Sequence, residues 1–296
     1  MGLALDSDFD GTFPYRTSHL DGPGGRIAYI DEGPPDAAPL LMLHGNATWS
    51  YMYRRPVAAL AERGRRCLAI DHMGFGRSHK PGHLTDYTLD AHIANAVHAL
   101  DELDLHDVTL VVHDWGGPIG LGATLERRER VRALVVMNSW AWELPSFLPP
   151  FLREFRTGGL GEILALGGNL LVECIPGGMA TRDTDPVMMD AYRAPFPDYW
   201  SRLGMLAFQR DIPITERDAS AHRMAQIHAG LTDLGLPLLL VWGMRDPVFS
   251  PVFLAQWREL FADVRSVELD DAGHYLVEDR PDAVAAAIGD FLEELA

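Results

Sequence analysis

The stretch Val108-Thr109-Leu110-Val111-Val112-His113-Asp114-Trp115-Gly116-Gly117 constrains this chain more than any other. Val108 to Val112 is a short apolar run rich in β-branched residues, which predicts a strand buried on both faces. A helix is expected to begin around Gly116, so strand passes into helix through a very sharp turn. A side chain on such a turn stands exposed above the sheet, with glycines packed around it. Here that side chain is Asp114. A carboxylate cannot usefully acylate itself, but it can displace a leaving group from an alkyl carbon and form an alkyl-enzyme ester. Trp115 follows, and an indole N–H is a donor with no acceptor character. A carboxylate nucleophile beside such a donor suits a substrate whose leaving group departs as an anion.

Similar apolar runs recur at Leu40 to Leu43, Cys67 to Ile70, Ala133 to Met137 and Leu238 to Trp242, with a weaker alternating one at Val264 to Leu269. Arg26 to Ile30 alternates and ends at Asp31-Glu32-Gly33-Pro34-Pro35, so it is expected to be an edge strand followed by a turn. Helical patterns lie between the runs. Thr88 to Leu103 places Leu89, Ile93, Val97 and Leu100 on one stripe, with Thr88 as N-cap. Tyr51 to Arg63, Pro118 to Arg128, Val252 to Phe261 and Ala283 to Leu295 read likewise. Strand alternating with helix implies an α/β class, a doubly wound, mostly parallel sheet that binds ligands at the carboxyl ends of its strands.

The alternation stops between Ser139 and Asp218, a region rich in Pro, Gly and aromatic residues. It reads as a helical lid, residues 139–218, inserted into a core made of residues 1–138 and 219–296. Over an active site, lid aromatics such as Phe147 and Phe151 would line an apolar pocket.

The chain has 296 residues, 47% of them hydrophobic, and can bury a large core. No apolar run approaches the roughly 18 residues of a membrane span, and Met1 to Asp8 lacks the features of a secretory signal. Cys67 and Cys174 are expected to be reduced thiols, and the protein cytoplasmic. A net charge of −17 argues against nucleic acid or an anionic membrane as partner.

A nucleophile at Asp114 needs three supports, and the chain offers each in a suitable place. The base candidate is His274 in Asp270-Asp271-Ala272-Gly273-His274-Tyr275, just after the last strand, where a loop can bring imidazole over the elbow. His113, beside the elbow, reads as structural. The acid candidate is Asp246, after the strand Leu238 to Trp242, in the chain order nucleophile, acid, histidine; Asp270 and Asp271 are rivals better suited to shaping the histidine loop. The donors come from His44-Gly45-Asn46 after an early strand and from Trp115. Their backbone N–H groups would hold an oxyanion, and their side-chain N–H groups would face the leaving group. Asp71-His72-Met73-Gly74-Phe75-Gly76-Arg77-Ser78 lacks the context of a dinucleotide fingerprint and reads as a structural turn. No cluster has zinc-ligand spacing and no phosphate-binding loop occurs, so neither metal nor cofactor is expected.

Together these residues resemble the haloalkane dehalogenase family of the α/β-hydrolase fold. The similarity runs from about Pro14 to Leu295, and includes Tyr192-Arg193-Ala194-Pro195-Phe196 and Arg210-Asp211-Ile212-Pro213-Ile214 in the lid. The resemblance implies an eight-stranded sheet and hydrolysis of carbon–halogen bonds to alcohol, halide and a proton through an alkyl-aspartyl ester. It implies Asp114 as nucleophile, His274 as base, Asn46 and Trp115 as halide pair, and Pro213 in the halide pocket. Members with an Asn–Trp pair often carry a glutamate acid where this chain has Asn138, which cannot serve. Asp246 fills the location used elsewhere in the family, a combination resembling its third branch. The implied partners are a small apolar halogenated substrate, water and the halide product; the oligomeric state stays open. Two rivals remain. An epoxide hydrolase would share the nucleophile but need lid tyrosines, for which Tyr192 and Tyr199 are available, and a non-catalytic receptor would bind an apolar ligand under the lid.

Overall fold

The computed structural model describes residues 4–144, 154–156, 158–181, 184–261 and 263–295. Its eight strands are β1 (Ser18–Gly22), β2 (Gly25–Glu32), β3 (Pro39–Leu43), β4 (Arg66–Ile70), β5 (Val108–His113), β6 (Val131–Met137), β7 (Leu238–Gly243) and β8 (Arg265–Leu269). They form one sheet in the order β1-β2-β4-β3-β5-β6-β7-β8. The β1–β2 and β2–β4 pairings are antiparallel, and every other pairing is parallel. Strands β3, β5 and β7 are buried at every residue, as their unbroken apolar runs require when helices cover both faces.

The expected edge at Arg26 to Ile30 is internal. Strand β2 pairs with β4 on one side and with β1 on the other. The sequence of β1, Ser-His-Leu-Asp-Gly, carries one apolar residue and gives no periodic signal; the hairpin pairing with β2 makes it a strand. The true edges, β1 and β8, are short and partly exposed, which limits pairing with other chains.

The helix Leu89–Glu102 begins as expected, with the Thr88 hydroxyl oxygen accepting the Ala91 N–H at 3.1 Å. Its Leu89, Ile93 and Leu100 are almost wholly buried, and it packs against the helix Gly116–Glu126 that follows β5. Among the described residues, the chain between β6 and β7 contributes helices and no strand. It crosses the carboxyl ends of the strands, where the Trp49 indole donates to the Ala191 carbonyl at 3.0 Å and the His274 amide donates to the Gly178 carbonyl at 2.7 Å. No helix among the described residues is long and apolar enough to cross a membrane.

The turn between β5 and its helix places Asp114 at φ +51°. Left-handed backbone costs a non-glycine residue about 1–2 kcal/mol, and three hydrogen bonds hold it here. The Asp114 N–H donates to the Asn138 carbonyl at 3.2 Å, while its own carbonyl accepts the Ser139 hydroxyl at 2.6 Å and the Gly117 N–H at 2.9 Å. Gly116 lets the helix start approach β3 closely, because a Cβ there would press into the Leu43 carbonyl oxygen. Gly116→Ala is therefore expected to lose about 1–3 kcal/mol of stability through overpacking, read as a lower urea midpoint. An unchanged midpoint would mean that β3 yields freely.

Candidate active site

The backbone that strains Asp114 also aims its carboxylate. Oδ1 accepts the Asn46 N–H at 2.6 Å, and the Trp115 amide also stabilises the charge. Gly45 makes this approach possible, since a Cβ there would collide with the Asp114 carboxylate. Burial raises the Asp114 carboxyl above the usual range, against the pull of His274 and the two amides. The two amides that the sequence singles out, of Asn46 and Trp115, both act on the Asp114 carboxylate.

The other oxygen, Oδ2, lies 3.9 Å from His274 Nε2, beyond hydrogen-bonding distance. His274 Nδ1 lies 2.9 Å from Asp246 Oδ2. An ionised carboxylate can only accept, so Nδ1 carries a proton, and when the ring is neutral its lone pair sits on Nε2, on the Asp114 side. Burial alone would lower the His274 pKa, but the Asp246 charge, its hydrogen bond and the Asp114 charge outweigh it, and the net shift is upward. Burial would likewise raise Asp246; the His274 charge and hydrogen bond, with the Val248 and Phe249 amides at 2.6 Å and 3.0 Å, bring it below the usual range.

Asn138, which cannot act as an acid, has a different task that the sequence did not reveal. Its side-chain N–H groups donate to Asp246 Oδ2 at 2.8 Å and to the Gly243 carbonyl at 3.1 Å, and its Oδ1 accepts the Gly243 N–H at 2.8 Å. It ties the end of β6 to the turn that carries Asp246. His113 is structural, as expected: burial and then the His274 charge lower its pKa to about 3, and the neutral ring donates from Nε2 to the His274 carbonyl at 2.8 Å. Asp270 and Asp271 stay clear of the imidazole. The Asp270 carbonyl accepts the Arg245 side chain at 2.8 Å, and Asp271 pairs with Arg280. The Asp71 to Ser78 turn is structural too, with Asp71 accepting the Ser50 and Arg77 amides at 2.8 Å each.

Trp115 is buried, with Phe208 stacked on it at 4.8 Å and Trp140 edge-on at 5.1 Å. The Asn46 side chain is oriented by the Ala47 N–H, which donates to its Oδ1 at 2.8 Å. One N–H of its amide donates to the Met205 carbonyl at 3.1 Å, leaving the second for a ligand. Met205 and Phe208 both lie on the helix Leu203–Arg210 and went unnoticed in the sequence. Phe249, which stacks on Trp140 and lies 5.7 Å from the His274 ring, was missed as well. Pro213 is buried in the loop beyond that helix, where its carbonyl accepts the Leu144 N–H at 3.0 Å. Phe147 and Phe151 lie outside the described residues. The lid tyrosines do not present hydroxyls to Asp114: the Tyr192 hydroxyl donates to Glu278 at 2.5 Å, and Tyr199 is 44% exposed. The support they lent to epoxide opening is removed.

Residues 38–161 and 180–281 match the family model described as the alpha/beta hydrolase fold. A cis-3-alkyl-4-alkyloxetan-2-one decarboxylase from Shewanella oneidensis is 36% identical over 96% of this chain and 91% of its own length. Haloalkane dehalogenase 2 from Mycobacterium bovis is 35% identical over 93% of this chain and 94% of its own. The crystal structure of the haloalkane dehalogenase DbeA from Bradyrhizobium elkani USDA94 superposes with a TM-score of 0.86 at 31% identity, covering 94% of this chain and 99% of that one. With the sheet, the elbow and the Asp–His–Asp geometry in place, the chain belongs to the haloalkane dehalogenase family of the α/β-hydrolase fold.

Proposed function

We propose that this enzyme hydrolyses the carbon–halogen bond of small apolar haloalkanes, with residues 139–218 as the lid over the substrate. The observation that carries the reading is the unequal setting of the two Asp114 oxygens. Oδ1 is seated on the Asn46 amide, while Oδ2 faces a histidine 3.9 Å away that is already bonded to Asp246. Oδ2 attacks the halogen-bearing carbon, the carbon–halogen bond breaks, and the halide leaves with the electron pair toward the side-chain N–H groups of Asn46 and Trp115. His274 Nε2 then takes a proton from water, and the hydroxide adds to the ester carbonyl. The oxyanion forms on Oδ1, where the Asn46 amide already donates, with the Trp115 amide as the second donor. Collapse releases the alcohol and regenerates Asp114, so alkyl halide and water give alcohol, halide and a proton. The free thiols Cys67 and Cys174 suit a reducing, cytoplasmic setting.

Alkylation removes the Asp114 charge, one of the causes that raise His274. The His274 pKa therefore falls in the ester intermediate, which favours the neutral imidazole needed as base. Losing the Asp246 charge lowers it further and frees the wrong tautomer.

A second reading is favoured by one observation: the Shewanella decarboxylase matches over slightly more of this chain than the mycobacterial dehalogenase does. A 3,4-dialkyl oxetan-2-one can lose its ring carbonyl carbon and both oxygens as carbon dioxide, leaving an alkene without water or halide. Asp114 would then face the ring carbon–oxygen bond, whose electrons depart on the carboxylate formed as the lactone opens. Loss of carbon dioxide would form the double bond and expel Asp114.

Three experiments separate these possibilities. His274→Phe, given a bromoalkane, should release about one bromide per active site and stop, with an alkyl ester on Asp114 by peptide mass mapping; continuous turnover or an adduct elsewhere would overturn the two roles. Asp246→Asn should slow ester hydrolysis by ~10⁴-fold, by analogy with serine triads, and move the acid limb of its pH profile downward. A wild-type rate and limb would place the acid elsewhere. Wild-type enzyme should yield bromide from the bromoalkane; alkene and carbon dioxide from a cis-3,4-dialkyl oxetan-2-one, with no bromide from the haloalkane, would replace the first reading by the second.

A further inference from the structure

Asp279 is a buried carboxylate that the proposed mechanism does not use. Asp279 ends the short helix Leu276–Asp279, which begins two residues after His274, and it is 6% exposed. Its Oδ2 accepts the Gly273 N–H at 2.8 Å and the Ala180 N–H at 2.9 Å. Its Oδ1 accepts the Thr181 N–H at 3.1 Å and the Thr181 hydroxyl at 3.0 Å. Arg280, the adjacent cation, directs its guanidinium to Asp271 and to the Asp279 backbone carbonyl instead. Four neutral donors therefore offset the desolvation of this charge, as a buried carboxylate requires. Three belong to the segment between β6 and β7, and the fourth belongs to the residue just before the proposed base.

A second tie runs beside it. The His274 N–H donates to the Gly178 carbonyl at 2.7 Å, and Gly273 lies so close that a Cβ there would press into the same oxygen. Glu278, one residue before Asp279, holds other groups: Arg54 at 2.5 Å and 2.8 Å, and the Tyr192 hydroxyl at 2.5 Å. It does not touch Gly273.

We propose that Asp279 is a positioning residue that locks residues 178–181 and the Gly273–His274 backbone into one unit, and so sets where His274 Nε2 meets the attacking water. The proposal rests on the two-step reading above, because it assigns Asp279 to the second step only. Halide release needs the Asp114 carboxylate and the Asn46 and Trp115 donors, none of which Asp279 contacts. An isosteric amide cannot replace it. Both carboxylate oxygens face backbone N–H groups, so either orientation of an asparagine sets its NH₂ against at least one of them.

The test is rapid-quench mass spectrometry of the alkyl-enzyme formed from a bromoalkane, alongside bromide release, in wild type, Asp279→Asn, Glu278→Gln and His274→Phe. Asp279→Asn is expected to form the ester at the wild-type rate with about one bromide per site. Ester decay should then be slowed by about 10²-fold, the cost of misplacing a reacting group by about 1 Å. Glu278→Gln should decay as wild type. A purely structural defect would lower burst and decay in proportion, and that outcome, wild-type decay in Asp279→Asn, or equal slowing in Glu278→Gln would each overturn the proposal. If Asp279→Asn does not fold, Thr181→Val decides: it removes one of the four donors and should slow decay severalfold while sparing the burst, and unchanged decay overturns the proposal. Failure of His274→Phe to accumulate ester would instead overturn the two-step reading.

Discussion

The seat of Asp114 Oδ1 on the Asn46 amide, reached from a left-handed backbone at φ +51°, is the contact around which the molecule is arranged. It needs β3 and β5 to be adjacent and parallel, so that the loop after Leu43 and the turn after His113 meet. Glycine is required at 45 and 116, where side chains would fill the approach. The turn also needs the end of β6 beside it, because Asn138 and Ser139 supply the hydrogen bonds that hold the strained residue. A parallel sheet places all of these strand ends on one edge, and strain of this kind persists only where neighbours over-determine it.

Two buried carboxylates flank one imidazole, yet they shift in opposite directions. Asp246 receives His274 Nδ1, the Asn138 amide and two backbone N–H groups, and these outweigh its desolvation. Asp114 has two amides and a histidine 3.9 Å away, and desolvation wins. The close His274 charge, its hydrogen bond and the extra donors set the difference. In the proposed division of labour, the carboxylate with more hydrogen bonds, Asp246, remains an anion that orients the base, and Asp114 has less hydrogen bonding to lose when it becomes an ester.

In the proposed mechanism the donors facing the leaving group are neutral N–H groups, which suit any compact anion. Specificity among such substrates then falls to the surrounding walls. Phe208 against Trp115, Trp115 against Trp140, Trp140 against Phe249, and Phe249 near His274 make a continuous run of aromatic contacts from Trp115 to the proposed base. Relatives named for carbon–halogen and for oxetanone chemistry both match this chain along most of its length.

The sequence by itself determined the central strands, the elbow and the order Asp114, Asp246, His274, because apolar runs and sharp turns are written in neighbouring residues. It could not yield β1, whose five residues become a strand only by pairing with β2. Nor could it show Asn138 bonded to Asp246 from 108 positions away, Met205 bonded to Asn46 from 159 positions away, or Asp279 bridging to Thr181 from 98 positions away. Such polar contacts leave no periodicity or turn chemistry in the chain. They arise when packing of the apolar core fixes which strand ends and loops lie together, so tertiary structure alone decided how the reactive carboxylate, its base and the helices above them are held.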